Sequence, residues 1–213
     1  MEITWYGHSC FRLTERGKAT VVTDPFDHRT TGTSQLKLKA DIVTISHDAP
    51  GYNHVAAVKG KYRLIEGPGE FEIGGVFITA VQSHANKKKP ENDLHNILYV
   101  FDYDNVVIAH LGVMKRVPSQ TEMEALGNVH VALVPLGGDG LTPAKAVEVV
   151  SLLEPGVVIP MHFETPKSKG FPTPITKFLK EMGMGKVESQ PSLKVSRGTT
   201  QGDTRVVVLD YQI

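Results

Sequence analysis

The chain has 213 residues, 40% of them hydrophobic and 22% charged, with 23 basic and 23 acidic side chains and so no formal net charge. That composition suits one globular domain over residues 1–213 with a sizeable core, and it gives no electrostatic reason to expect nucleic acid or an anionic membrane as partner. One cysteine, Cys10, excludes an internal disulfide, no apolar run approaches the roughly 20 residues of a membrane helix, and no basic-then-apolar leader opens the chain, so a reducing, cytoplasmic location is expected.

Residues 2–6 and 9–14 alternate as strands around Gly7-His8, and Ala19 to Thr23 is a third strand closed by Asp24-Pro25. Residues 27–40 are polar and read as a surface loop. The run Asp41 to Ser46 is apolar and β-branched at Ile42 to Ile45, the pattern of a buried strand. It breaks into His47-Asp48-Ala49-Pro50-Gly51-Tyr52, with a short helix-compatible stretch from His54 to Val58. Such a strand end sets a histidine and an aspartate at the rim of a sheet, where α/β proteins bind ligands.

Tyr62 to Ile65 is a further strand, followed by a turn at 66–70. Phe71 to Ile73 and Val76 to Val81 flank Gly74-Gly75 as a hairpin. The lysine-rich stretch 87–92 reads as a solvated loop. Strands follow at 95–101 and Asn105 to Ala109. Ser119 caps a helix to Leu126, and Val129 to Val134 is a strand before the Gly137-Gly138-Asp139-Gly140 loop. Thr142 and Pro143 start a helix to Leu153, with Ala146, Val147, Val149, Val150 and Leu153 on its apolar face. Gly156 to Pro160 is a strand, Phe171 to Met182 a helix, and Thr204 to Leu209 a closing strand. The glycine-rich loop lacks phosphate-loop spacing.

The stretch from Ile42 to Tyr52 resembles the central loop of the metallo-β-lactamase superfamily, in which a strand runs into His-x-His-x-Asp-His. Here the six positions are His47, Asp48, Ala49, Pro50, Gly51 and Tyr52, so only the first ligand of the motif stands. Further segments resemble the branch that includes bacterial ascorbate-6-phosphate lactonase and small metal-dependent hydrolases. They are Gly7-His8-Ser9-Cys10-Phe11, Thr23-Asp24-Pro25-Phe26, Gly67-Pro68-Gly69-Glu70, His110-Leu111-Gly112, Pro135-Leu136-Gly137-Gly138 and Ile159-Pro160-Met161-His162. The resemblance spans nearly the whole chain, in order. It implies a four-layered αββα sandwich of the metallo-β-lactamase type, with the site at the edge shared by two sheets.

The resemblance also implies a two-metal site and fixes which positions should hold it. One metal would take His47, Ala49 and His84; the other would take Gly51, Tyr52 and His162; Val113 stands where a bridging aspartate belongs. His47, His84 and His162 therefore remain as metal ligands. A pair of ions about 3.5–4 Å apart needs a bridging anionic ligand, and Gly51 and Val113 remove both carboxylates. Three neutral histidines suit one zinc with an open water position. His130 is a further departure, since the branch has aspartate there. Asp48 is the candidate catalytic base, and His8, Asp24, Tyr52 and His110 are expected around the cleft, with Asp24 suited to orienting a histidine N–H. His28, His54 and His95 read as surface or turn histidines.

Two functions stay open. One is a hydrolase of an ester, lactone or phosphoester with at most one zinc or manganese ion. The other is a metal-free relative that binds a small molecule or serves as an assembly subunit. Self-association is common in the branch the chain resembles.

Overall fold

The computed structural model describes residues 1–83, 96–137, 140–166 and 173–212. The first half contains β1 (Glu2–Trp5), β2 (Phe11–Thr14), β3 (Val21–Thr23), a one-turn helix α1 (His28–Thr31), β4 (Leu38–Lys39), β5 (Ile42–Thr44), β6 (Val58–Lys59) and β7 (Arg63–Ile65). Next come β8 (Gly69–Ile73), β9 (Val76–Ser83), β10 (Asn96–Asp102), β11 (Val107–His110), α2 (Gln120–Leu126), β12 (Val131–Pro135), α3 (Pro143–Leu153) and β13 (Val157–Met161). The chain ends with α4 (Ile175–Glu181), β14 (Ser189–Gln190), β15 (Leu193–Lys194), β16 (Arg205–Val206) and β17 (Val208–Leu209).

Two sheets pack face to face. One runs β15-β1-β2-β3-β5-β7 and the other β16-β13-β12-β11-β10-β9-β8. In each, an antiparallel meander (β1-β2-β3, then β8-β9-β10-β11) passes into parallel strands (β5 and β7, then β12, β13 and β16). Strand alternation divides the apolar side chains between layers. Ile3, Trp5, Phe11, Leu13, Val21 and Ile42 point into the core between the sheets. Val22, Val43 and Ile45 point the other way and join Phe26, Leu36, Leu38 and Val58 in a second cluster. That outer cluster is roofed by the 27–40 segment, α1 and a 3-10 turn at Val55–Ala57, so the helical layer over the first sheet is thin. Over the second sheet, α3 packs on β12 and α4, and α2 on β9. Every residue of β12 and β13 is buried, as parallel strands covered on both faces require.

Tyr99 of β10 and Tyr103 just after it tie the sheets together. The Tyr99 hydroxyl meets the carbonyls of Ile45 (2.8 Å) and Ile65 (3.0 Å), and the Tyr103 hydroxyl meets those of Leu13 (3.4 Å) and Ala19 (3.3 Å).

Most sequence expectations coincide with elements, and the differences have local causes. The loop expected over 27–40 contains α1, capped by the Asp27 side chain on the Arg29 N–H. The turn expected at 66–70 overlaps β8, which begins at Gly69. The single closing strand divides: β16 continues the second sheet beside β13, while β17 pairs with β14. Val147 is only half-buried on α3. The last helix starts at Ile175; its expected start at Phe171 lies outside the described residues, as do His84, His95, the 87–92 loop and Gly138-Asp139.

Candidate functional site

The parallel strands deliver their C-terminal ends to one edge, and the polar side chains gather there. Asp24 follows β3, Ser46 and His47 follow β5, Glu66 follows β7, His110 closes β11 and His162 follows β13. His8 comes from the β1–β2 turn. His8, Asp24 and His162 sit in the left-handed region, with φ of 51°, 40° and 58°. Non-glycine residues seldom adopt it, because it costs roughly 1–2 kcal/mol each. Three of the five such residues described in the chain therefore sit at this edge, which is where strain held for function collects.

A run of ring contacts crosses the edge. His47 meets Tyr52 at 5.3 Å between centroids, Tyr52 meets His162 at 5.6 Å, and both contacts are edge-to-face. His162 meets His8 at 6.3 Å, and His8 meets Phe26 at 5.3 Å. The Tyr52 ring, standing where the motif has its last histidine, thus links the two buried histidines His47 and His162. Burial pulls the His8 imidazole down to about 4 against a backbone hydrogen bond at Thr31, and pulls His162 well below its ordinary value, helped by His8 and His110. Both rings are therefore neutral at pH 7, the form able to accept a hydrogen bond or a metal.

Asp24 and His110 lie beneath these rings, both fully buried. His110 Nε2 is 2.9 Å from the Ser9 carbonyl, and the Gly112 N–H donates to Nδ1 at 3.2 Å. These contacts leave Nδ1 as the acceptor and Nε2 as the donor, and occupy both nitrogens. Its Nε2 is 3.7 Å from Asp24 Oδ2. Asp24 accepts from the Ser46 N–H and the Ser46 hydroxyl, both at 2.6 Å. Burial pushes its carboxyl up, opposed by His110 and by the Ser46 donors. Asp24 thus grips the residue just before His47 and fixes that loop, rather than orienting a ligand histidine by a short hydrogen bond.

Asp48 is exposed and accepts from the Asn53 amide at 2.7 Å. With His47, Asn53, Glu66 and Gln82 it lines a cleft of about 530 Å³. Sequence reasoning did not single out Ser46, Glu66 or Gln82, although Glu66 follows a parallel strand just as Asp24 does. His54 donates its backbone N–H to the Pro25 carbonyl, and His28 lies 3.4 Å from the Asp27 carboxylate, both on the loops over the first sheet. His130 Nδ1 accepts from the Val107 N–H at 3.0 Å, a bond that a carboxylate at this position could equally accept.

Among the described residues no three His, Cys, Asp or Glu side chains are grouped to hold a metal ion. Gly51 offers no donor, and Val113 is buried, its N–H held by the Asn96 side chain at 2.8 Å. Neither position brings a carboxylate to the places where a two-metal centre would take its anionic bridge.

Comparison with known proteins agrees with the architecture. The model of the β-lactamase superfamily domain matches residues 2–162. A Thermotoga maritima crystal structure, provisionally described as a zinc-dependent hydrolase of the metallo-β-lactamase superfamily, superposes with a TM-score of 0.80. It is 35% identical, with 98% of this chain and 97% of that one covered. Proteins named metal-dependent hydrolases from Lysinibacillus sphaericus and Thermoplasma acidophilum are 28% and 25% identical. Each matches over 78% of this chain, covering 86% and 84% of their own lengths.

Proposed function

The chain belongs to the metallo-β-lactamase superfamily, and from that premise we propose that it is a hydrolase-like member whose two-metal centre has been dismantled. It works with at most one metal, on an ester, lactone or phosphoester. The observation that carries this reading is the Tyr52 ring lodged edge-on against both His47 and His162. A phenol ring replaces an imidazole ligand between the two histidines that belonged to different metals. The chemistry of the donor set supports it further, because neither Gly51 nor Val113 can supply a bridging carboxylate.

The three remaining histidines, His47, His84 and His162, would hold a single zinc or manganese ion, which supplies a water acidified towards neutral pH. Relatives named metal-dependent hydrolases favour retention of such an ion. The chain's own contribution is then the cleft beside His47. Asp48, oriented by Asn53, is the base at its wall, and Asp24 holds the His47 loop through Ser46.

A second reading is a metal-free protein that binds a small molecule in the same cleft. It is favoured by the cleft itself, which His47, Asp48, Asn53, Glu66 and Gln82 line with polar groups suited to a small polar ligand.

Elemental analysis separates these readings, using protein purified without chelator or affinity tag, for wild type and His84→Ala. At most one metal per chain and no efficient two-metal hydrolysis are expected. One metal lost in the variant identifies the single-metal hydrolase; none in either protein, with the fold intact, identifies the binder. Two metals per chain, with an esterase or phosphodiesterase rate abolished by His47→Ala, would overturn the proposal.

A further inference from the structure

The opposite edge of the sandwich carries a second polar feature. Two adjoining cavities of about 700 and 560 Å³ open beside the start of β1 and the end of β2, and they share Glu15, Arg16 and Ser196. Both lie far along the strands from His8 and His47. Their linings carry five basic side chains, Arg12, Arg16, Lys18, Lys194 and Arg197, against the acidic Glu2, Glu15 and Asp104.

The acids are already engaged. Glu15 pairs with the Met1 ammonium at 2.5 Å and accepts from the Arg16 N–H. Glu2 accepts from the Ser192 hydroxyl at 2.6 Å, and Asp104 takes Lys18 at 2.5 Å. Lys18 is thereby spent as well. Among the described residues Arg12, Arg16, Lys194 and Arg197 have no carboxylate within ion-pair distance.

Arg12 is the telling member. It projects from the middle of β2, between Thr4 of β1 and Val22 of β3 in register. Its Nε is buried and has no hydrogen-bond partner among the described residues. A buried guanidinium N–H left without an acceptor is costly, and Arg12 lines the cavity, so a small shift of its side chain towards an anion there would relieve that cost. Guanidinium groups also match the paired oxygens of a phosphate. The hydroxyls of Thr20 and Ser196 line the same wall as additional donors. The basic groups divide between the cavities: Arg12 and Lys194 on one side, Arg197 on the other, and Arg16 at their junction.

We infer that this groove binds a small molecule carrying two linked phosphate groups, one near Arg12 and Lys194 and the other near Arg16 and Arg197. Cavities of this size suit such a ligand. The groove is independent of the His47 edge, so the proposal stands or falls separately from the reading of that site.

Isothermal titration of the full chain with inorganic pyrophosphate at low salt tests it, with orthophosphate as comparison. Pyrophosphate should bind at least roughly tenfold more tightly than orthophosphate, and binding should weaken as salt is raised. Arg12→Gln and Arg197→Ala should each weaken it about tenfold or more, while His47→Ala leaves it unchanged. Arg197 lies on an exposed 3-10 turn, so its variant keeps the test valid even if Arg12→Gln unfolds on circular dichroism. Absence of pyrophosphate binding up to about 1 mM, equal affinity for both anions, undiminished binding in Arg197→Ala, or loss of binding in His47→Ala would each overturn it.

Discussion

At the scale of single residues, the edge is built with little room to spare. Gly112 has φ of 57°, and a methyl group there would collide with Asn96 Oδ1 and stand 2.8 Å from Ser46 Cβ. Those two neighbours do separate jobs. Asn96 holds the Val113 N–H and the Leu111 carbonyl, and Ser46 is clamped by Asp24. Gly112→Ala therefore strains its own backbone and pushes on both loops. A loss of about 2–4 kcal/mol is expected, read as a lowered urea midpoint at unchanged slope. A loss below about 0.5 kcal/mol would show that this edge can relax. His110 makes a related point: its chemistry is available to the residue type, but both ring nitrogens are consumed by Ser9 and Gly112.

At the scale of elements, two devices carry stability that can be measured. The helix α2 begins with a capping box in which Ser119 and Glu122 satisfy each other's backbone N–H. Glu122 also receives both Arg116 guanidinium nitrogens at 2.7 Å. Burial opposes its charge, but Arg116 and the Ser119 N–H prevail and draw the carboxyl from 4.5 down to about 2. The folded value lies below the unfolded one, so the stabilisation is present above about pH 4.5 and drains away as pH falls towards 2. Between pH 7 and pH 3 this group should cost the wild type on the order of 2 kcal/mol, a loss absent from Glu122→Gln. Parallel urea curves at the two pH values check it; equal losses in both proteins would remove Glu122 from the account.

Strand β10 supplies the other device. The Tyr99 hydroxyl is the donor shared by two carbonyls of the facing sheet, while its ring stacks on Phe101 at 5.9 Å. Tyr99→Phe keeps the ring and deletes the bond, so a loss of about 1–3 kcal/mol is expected at equilibrium unfolding. A neutral effect would mean that Ile45 and Ile65 are satisfied without it.

At the scale of the whole molecule, the two sheets repeat one plan, a meander followed by parallel strands, and this brings strand ends from both halves to one edge. The candidate ligand positions are split between the halves accordingly: His47, Ala49, Gly51 and Tyr52 follow β5, Val113 follows β11 and His162 follows β13. On the proposed reading, rebuilding a two-metal centre requires substitutions in both halves. The variant A49H/G51D/Y52H/V113D should acquire metal beyond the wild-type content. Gly51 has open space around it, but Asp at the buried position 113 is costly without a cation. The variant should therefore melt below wild type when metal-free and recover with zinc, by about 3 kcal/mol at a hundredfold excess over the dissociation constant. No recovery and no added metal would mean that the edge has lost the geometry as well as the ligands.

Much was legible in the sequence because it is written in local signals. The alternation of Ile3, Trp5, Phe11 and Leu13, the Gly74-Gly75 hairpin and the Thr142-Pro143 helix start need only neighbours within a few residues. The order of motifs identified the superfamily, and the substitutions Ala49, Gly51, Tyr52 and Val113 could be read directly against it. What only the tertiary structure decided depends on groups distant in the chain. Asp24 clamps Ser46 from 22 residues away, and His110 reaches Ser9 across 101 residues. Tyr52 meets His162, the closing strand divides between two sheets, and Arg12 and Arg197 come to line two adjoining cavities. Periodicity, caps and turn residues are set by short-range sterics and hydrogen bonds. Which buried polar groups meet is set by how the two sheets close on each other, and no local pattern encodes that.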